Sequence, residues 1–246
     1  MESSSLSPRE LRRYGKQIML PEIGLAGQEK LKKASVLVIG AGGLGCPVLQ
    51  YLTAAGVGRI GVAEFDMVDE ANLQRQILYG TDDVGKLKSV IAKNRLGQLA
   101  LQNKIEIFNL RVDSTNAPVL FGNFDIIVDA TDNIETRYVI SDTCLALGKP
   151  MVHGSIYKHE GSVSVFNFNG GPDYRSFNPE VRGKAAMNPS PSEVGLFGVL
   201  PGITGSLMAS EVIKIITGTG IVLSGEILIF NIMTNTFKTF RIKKQL

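Results

Sequence analysis

Cysteine is scarce in this sequence, charge of one sign is nearly balanced by the other, and no apolar run is long. The two cysteines, Cys46 and Cys144, form neither a CxxC pair nor a disulfide framework, so a thiolate metal site and a stapled extracellular scaffold are both unexpected. No stretch approaches the roughly 18 apolar residues that span a bilayer. Met1 to Glu10, with Ser3, Ser4 and Ser5, lacks the apolar core of a signal peptide, and a cytoplasmic location is the expectation that follows. A net charge of +3 is too small for a nucleic-acid binder, although Lys238, Arg241, Lys243 and Lys244 make the tail locally basic. That tail reads as a solvated strand face.

What is present suffices for one large core: 44% of the 246 residues are hydrophobic, and a single domain over residues 1–246 is expected. Strand-like apolar runs alternate with amphipathic stretches as far as about residue 155, the pattern of a parallel sheet wrapped by crossover helices. The spacing predicts strands at Ser35 to Ile39, Arg59 to Glu64, Lys104 to Phe108, Phe124 to Ala130 and Met151 to Gly154. Helices are predicted from Leu44 to about Ala55, Lys86 to Leu101 and Ile134 to Leu147. Between them, Asp66 to Asp83 is too long and too charged for an ordinary connection of about 2 to 6 residues, which marks it as functional. Beyond Lys158 the runs Gly161 to Phe168, Glu226 to Ile232 and Thr236 to Ile242 alternate like antiparallel strands. Asn169 to Pro201, rich in Gly, Pro, Ser and Asn, reads as a crossing loop, and a helix from Gly205 to Thr217 follows it. The expected fold is α/β: a doubly wound, Rossmann-like, mostly parallel sheet that finishes antiparallel.

Gly40-Ala41-Gly42-Gly43-Leu44-Gly45 matches G-x-G-x-x-G, directly after a predicted strand and opening a predicted helix, with Glu64 about twenty residues on at the next strand's end. Gly40, Gly42, Gly43 and Gly45 let backbone N–H groups approach a phosphate, the helix start favours negative charge, and Glu64 can accept from ribose hydroxyls. A nucleotide site is expected. In a doubly wound sheet this turn shares an edge with Asp129-Ala130-Thr131-Asp132-Asn133, and the long loop brings Asn72-Leu73-Gln74-Arg75-Gln76, with Lys88 close behind. An Arg clamp and a Lys point charge beside a phosphate turn suit a triphosphate better than a dinucleotide. Asp132 is placed to hold Mg²⁺ through the phosphates of ATP. Taken singly, Arg75 and Lys88 would be surface charges, and Asp132-Asn133 a cap for the helix at Ile134.

These residues resemble the ThiF/MoeB/HesA adenylyltransferases, bacterial relatives of ubiquitin-activating enzymes. The segments that carry the resemblance are Arg13-Tyr14-Gly15-Lys16-Gln17-Ile18, the glycine turn with Cys46-Pro47, Asn72 to Gln76, Val84-Gly85 with Lys88, and Asp129 to Asn133. The resemblance implies that Asp132 serves magnesium and the reaction, and that Asn72, Arg75 and Lys88 contact ATP phosphates. It implies adenylylation, with release of pyrophosphate, of the C-terminal glycine carboxylate of a ubiquitin-like sulfur carrier ending in Gly-Gly, in molybdopterin or thiazole biosynthesis. It further implies a nucleotide-binding half at about residues 30–155, a carrier-binding half with the crossing loop at about 156–246, and a homodimer in which Lys16 reaches the other subunit's phosphate site.

Three departures from the family pattern are visible. Asp173 and Ser176 stand where a first zinc-binding CxxC pair would be, and no second pair follows, so zinc is not expected. Pro191 stands where thiazole-branch relatives carry a nucleophilic cysteine, which tilts the expectation toward the molybdopterin branch. Lys16 replaces the usual Arg and Glu64 the usual Asp. Cys46, Cys144 and His153 read as structural. Two other classes compete: an NAD-dependent oxidoreductase, since the turn plus Glu64 is also an NAD fingerprint, and a non-catalytic subunit of an activating complex.

Overall fold

The run Ser-Val-Leu-Val-Ile at Ser35–Ile39 is apolar on both faces, as a strand covered by helices on both sides must be, and it forms β1 at the centre of the sheet. The computed structural model describes residues 5–179 and 195–242. Beside β1 run β2 (Arg59–Ala63) and then β3 (Lys104–Phe108) on one side, and β4 (Ile126–Asp129) and then β5 (Met151–Tyr157) on the other, all five parallel. β6 (Glu160–Phe166), β7 (Glu226–Asn231) and β8 (Thr236–Arg241) complete the sheet antiparallel, giving eight strands in the order β3-β2-β1-β4-β5-β6-β7-β8. The expected mostly parallel sheet with an antiparallel end is thus observed. Chain order reverses between β1 and β4, which makes their carboxyl ends the topological switch point.

Helices close both faces. α3 (Gly45–Ala55), α4 (Lys88–Leu99) and α8 (Leu200–Thr217) pack over a core containing Val36, Val38, Leu49, Leu52, Ile60, Val128 and Met208. On the other face, α5 (Ala117–Gly122), α6 (Ile134–Leu147) and the short α7 (Tyr174–Phe177) cover Leu37, Ile127, Phe121, Phe124, Ile140 and Phe166. Among the described residues no helix is long and apolar enough to cross a membrane.

Several elements differ from the sequence expectation. α1 (Pro8–Ile18) and α2 (Gly24–Lys33) precede the sheet. α1 begins in a capping box, in which Ser7 Oγ accepts from Glu10 N–H and the Glu10 carboxylate accepts from Ser7 N–H. α5 was also unforeseen: six residues show too little periodicity to register. The crossing segment contains α7, and α8 starts at Leu200 rather than Gly205 because Pro201 sits in the first turn, where its missing N–H removes no bond. β5 runs on to Tyr157 because β6 pairs with it along that length. Pro191, together with Lys243 and Lys244, lies outside the described residues.

Candidate active site

The chain turns sharply at the end of β1. Gly40 has φ +93°, and a Cβ there would come within 2.8 Å of the Ala130 carbonyl oxygen, so only glycine lets the β1 and β4 ends lie this close. A Cβ on Gly45 would overlap the Gly40 carbonyl oxygen, so the first residue of α3 must also be glycine for the helix to start against the strand. The first helical-type bond runs from Cys46 N–H to Gly42 O, 2.9 Å, and the amides of Gly42, Gly43 and Leu44 stand ahead of it at the positive end of α3.

The turn is fastened through Ala41. Its N–H donates to Glu64 Oε2, 2.8 Å, while its carbonyl accepts from Tyr79 OH, 2.8 Å, and from Cys46 Sγ, 3.4 Å. Glu64 Oε1 also accepts from the N–H groups of Phe65 and Asp66. An ionised carboxylate has about four lone-pair sites, so Glu64 keeps one for a ligand after these three bonds. Cys46 is buried behind the turn and its thiol is pushed up to about 12, burial being the main cause, which makes it a packed and inert group. Cys144 is likewise buried and raised by burial.

A cleft of about 350 Å³ opens here, within the size range of small-molecule sites. Gly40, Gly42, Gly43, Glu64, Arg75, Lys88, Asp132 and Asn133 all line it. The structure thereby brings together the glycine turn, the long loop and the end of β4, as the sequence reading requires. Arg75 Nη2 donates to Asn72 Oδ1, 2.6 Å, so Asn72, which does not itself line the cleft, orients the guanidinium. Lys88, buried at the start of α4, points its Nζ to within 3.4 Å of Asp66 Oδ2. Asn133 caps α6, its Oδ1 accepting from Thr136 N–H at 2.9 Å, while Asp132 beside it is exposed to the cleft. Lys16 is exposed on α1 and does not line the cleft of its own chain.

Two cleft cations went unrecognised in the sequence, Arg111 and Arg137. Arg137 Nη2 donates to the Thr131 carbonyl, 2.9 Å, holding the segment that carries Asp132. Beneath it, Asp129 is fully buried and accepts from Thr131 N–H and Oγ1 while its Oδ2 sits 2.7 Å from His153 Nδ1. Burial acts to raise the Asp129 carboxyl, but the bonds from His153 and Thr131 and the Arg137 charge outweigh it and leave it below the usual aspartate range. Burial also lowers His153, against the pull of Asp129. His153 sits beneath the β4 end, against Asp129. A signal for Arg137 existed, since it lies one helical turn beyond Asn133 on the face that looks back to the strand end. At the position of the family's first zinc-binding pair, Asp173 caps α7, accepting from Ser176 N–H at 2.9 Å and from Ser176 Oγ.

Against known proteins, the sequence profile of the ThiF family matches residues 14–246. The chain belongs to the ThiF family. It is 47% identical over 239 residues to a probable molybdopterin-synthase adenylyltransferase of Porphyra purpurea, covering 97% of this chain and 63% of that protein. It is 46% identical to a sulfur carrier protein adenylyltransferase of Thermus thermophilus, covering 96% of this chain and 88% of the relative. The chain thus spans less than two thirds of the Porphyra relative's length and most of the Thermus one. Among solved structures, E. coli MccB superposes with a TM-score of 0.84 at 22% identity, over 95% of this chain and 73% of that one, a likeness of fold.

The cleft of this ThiF-family chain fits a nucleotide triphosphate with magnesium on its own chemistry. Gly40 and Gly45 exclude side chains from the cradle, four cations, Arg75, Lys88, Arg111 and Arg137, line the cleft, and two exposed carboxylates line it with them, Asp66, which is paired with Lys88, and Asp132.

Proposed function

We propose that the chain is an adenylyltransferase that uses ATP to activate the C-terminal glycine carboxylate of a ubiquitin-like sulfur carrier, releasing pyrophosphate, in the molybdopterin branch. The names of the Porphyra and Thermus relatives support the activity and the carrier class. The observation that carries the reading is the convergence of Arg75, Lys88 and Asp132 on the glycine turn at the switch point.

In this mechanism a carboxylate oxygen of the carrier's terminal glycine attacks the α-phosphorus of ATP; the bond from that phosphorus to the bridging oxygen breaks, and the electron pair leaves with pyrophosphate. The amides of Gly42, Gly43 and Leu44 bind phosphate oxygens at the positive end of α3. Arg75, oriented by Asn72, and Lys88 neutralise the charge that gathers on the departing pyrophosphate, and because they are fixed before reaction they need little reorganisation. Glu64 offers its remaining lone pair to a ribose hydroxyl. Asp132 is the residue that would hold magnesium, which when bound would supply Lewis-acid stabilisation of the same charge. No side chain need move a proton, since the carrier's carboxylate is already ionised at neutral pH.

The carrier is proposed to land on the late strands. β8 is exposed along its whole length, including Phe237 and Phe240, and Ile156 of β5 with Leu196 line the cleft. The whole chain acts as one adenylating domain. A homodimer is proposed as well, seated on an apolar groove between α3 and α8 lined by Pro47, Tyr51, Ile77, Leu99, Val199 and Ile203. Arg13 of α1 donates to the carbonyl of Leu99, which lines that groove.

Carrier-dependent exchange of labelled pyrophosphate into ATP tests the reading. Wild type should exchange only with a Gly-Gly carrier present, and Asp132→Ala should lose on the order of 100-fold. Absence of exchange with every such carrier, or undiminished exchange in Asp132→Ala, would sink it.

A further inference from the structure

Asp129 and His153 are register partners on β4 and β5, and neither has a role in the mechanism above. The strands around them are apolar, with Ile127, Val128, Met151 and Val152 all buried. A carboxylate and an imidazole in that layer carry a desolvation cost that another apolar pair would avoid. What they provide in exchange is a set of hydrogen bonds directed at the strand end.

Asp129 Oδ1 accepts from Thr131 N–H, 3.0 Å, and from Thr131 Oγ1, 2.6 Å, which ties down the Ala130–Thr131 peptide. Arg137 Nη2 donates to the Thr131 carbonyl, 2.9 Å, and so ties down the next peptide, Thr131–Asp132. With both peptides around Thr131 held, the backbone that presents Asp132 to the cleft is set.

The other Asp129 oxygen, Oδ2, lies 2.7 Å from His153 Nδ1 and 3.9 Å from Arg137 Nε. An ionised carboxylate only accepts, so Nδ1 carries the proton and donates it. Tyr174 of α7 and Phe166 of β6 pack against the imidazole, at 4.9 and 5.9 Å between ring centroids, and limit its rotation. Remove this donor and the buried Oδ2 is drawn toward Arg137, now beyond hydrogen-bond distance. A carboxylate turned that way takes Oδ1 from Thr131.

We propose that His153 is a positioning residue for adenylylation: through Asp129 it fixes Thr131, and through Thr131 it aims Asp132 into the cleft. The role rests on the reading of the cleft as an adenylylating site. His153 itself touches no substrate, being 1% exposed beneath the strand end.

The test compares wild type with His153→Leu, which fills the place without a donor, and His153→Asn, whose carboxamide N–H stands near the position of Nδ1. In the nucleotide-free proteins, amide hydrogen exchange followed by NMR should speed about tenfold at Thr131 in His153→Leu, with β1 and α3 unchanged. In carrier-dependent pyrophosphate exchange, its kcat should fall about tenfold while KM for ATP stays within about twofold, because the glycine turn, Arg75 and Lys88 are untouched. His153→Asn should recover most of both. Should His153→Leu not fold, Thr131→Val, which cuts only the Oγ1 bond, should move both readouts the same way by roughly threefold. Amide exchange that speeds equally throughout the chain, or an unchanged kcat in a variant whose Thr131 amide is loosened, makes the pair an element of the fold and overturns the proposal alone. A wild type that exchanges pyrophosphate with no Gly-Gly carrier overturns the adenylylation reading, and this role with it.

Discussion

Ala41 has no functional group of its own, yet both its backbone polar groups are held: Glu64 holds the N–H, and Tyr79 OH and Cys46 Sγ hold the carbonyl. The Gly40–Ala41 and Ala41–Gly42 peptides are thereby each restrained from flipping, and the Gly42 amide, which shares its peptide plane with the Ala41 carbonyl, is fixed opposite to it. Tyr79 is almost fully buried, and burial pushes its phenol far above the usual range, so the hydroxyl is a neutral donor at any working pH. Tyr79→Phe should lower the unfolding free energy by about 1–2 kcal/mol in urea titration and weaken ATP several-fold, with Cys46 left as the carbonyl's only partner. Unchanged ATP affinity in a destabilised variant would mean that the grip serves folding alone. Of the residues at this site, those with a motif were legible in the sequence: the glycines, Glu64, Arg75, Lys88 and Asp132. Tyr79, Arg111 and Arg137 were not, because their part depends on contacts across the fold that no local spacing encodes. Asn72 was legible as a member of its motif, though its contact in the folded chain is with Arg75 rather than with the cleft.

Elements announced themselves in proportion to their length and punctuation. β1, α3 and α6 are each followed by a glycine, Gly40, Gly56 and Gly148, and their limits fall within a residue of expectation. α1 is mostly polar, so hydrophobic periodicity passes it over; its signal is the Ser-x-x-Glu box with proline after the cap. Helix propensity makes a sharper point within this fold, because the same substitution should act with opposite signs in two helices. Gly97 is exposed near the end of α4 with open space where a Cβ would stand, so Gly97→Ala should stabilise by about 0.5–1 kcal/mol. Gly45→Ala forces a methyl into the backbone carbonyl of Gly40, which cannot move without parting β1 from α3. It should destabilise by more than about 2 kcal/mol and abolish measurable ATP binding. Thermal melts of the two variants side by side check both signs, and a Gly45→Ala protein that melts and binds like wild type would refute this account of the turn.

At the scale of the whole molecule, the reversal of strand order between β1 and β4 makes a site out of segments distant in sequence; the alternation of strands and helices announced the parallel sheet, and the folded chain shows its order. What no single chain encodes visibly is how two copies meet. Lys16 lies outside its own cleft, on the exposed side of α1, and in the apolar groove of α3 and α8 Tyr51, Ile77 and Val199 are all more than half exposed. On the proposed dimer, a second copy would cover those side chains and bring Lys16 toward its partner's phosphates, supplying a further cation that the residue cannot give at home. Tyr51→Glu should then shift the protein to monomers in light scattering, since a carboxylate would be buried in an apolar contact. Subunit mixing tests the exchange of residues directly. Lys16→Ala and Asp132→Ala should each be nearly inactive alone, but a mixed dimer carries both lesions in one site and none in the other. Equal mixing should therefore restore about a quarter of wild-type pyrophosphate exchange. Failure to recover any activity, from proteins shown to exchange subunits, would place Lys16 outside the phosphate site and leave the cleft's own four cations to neutralise the triphosphate.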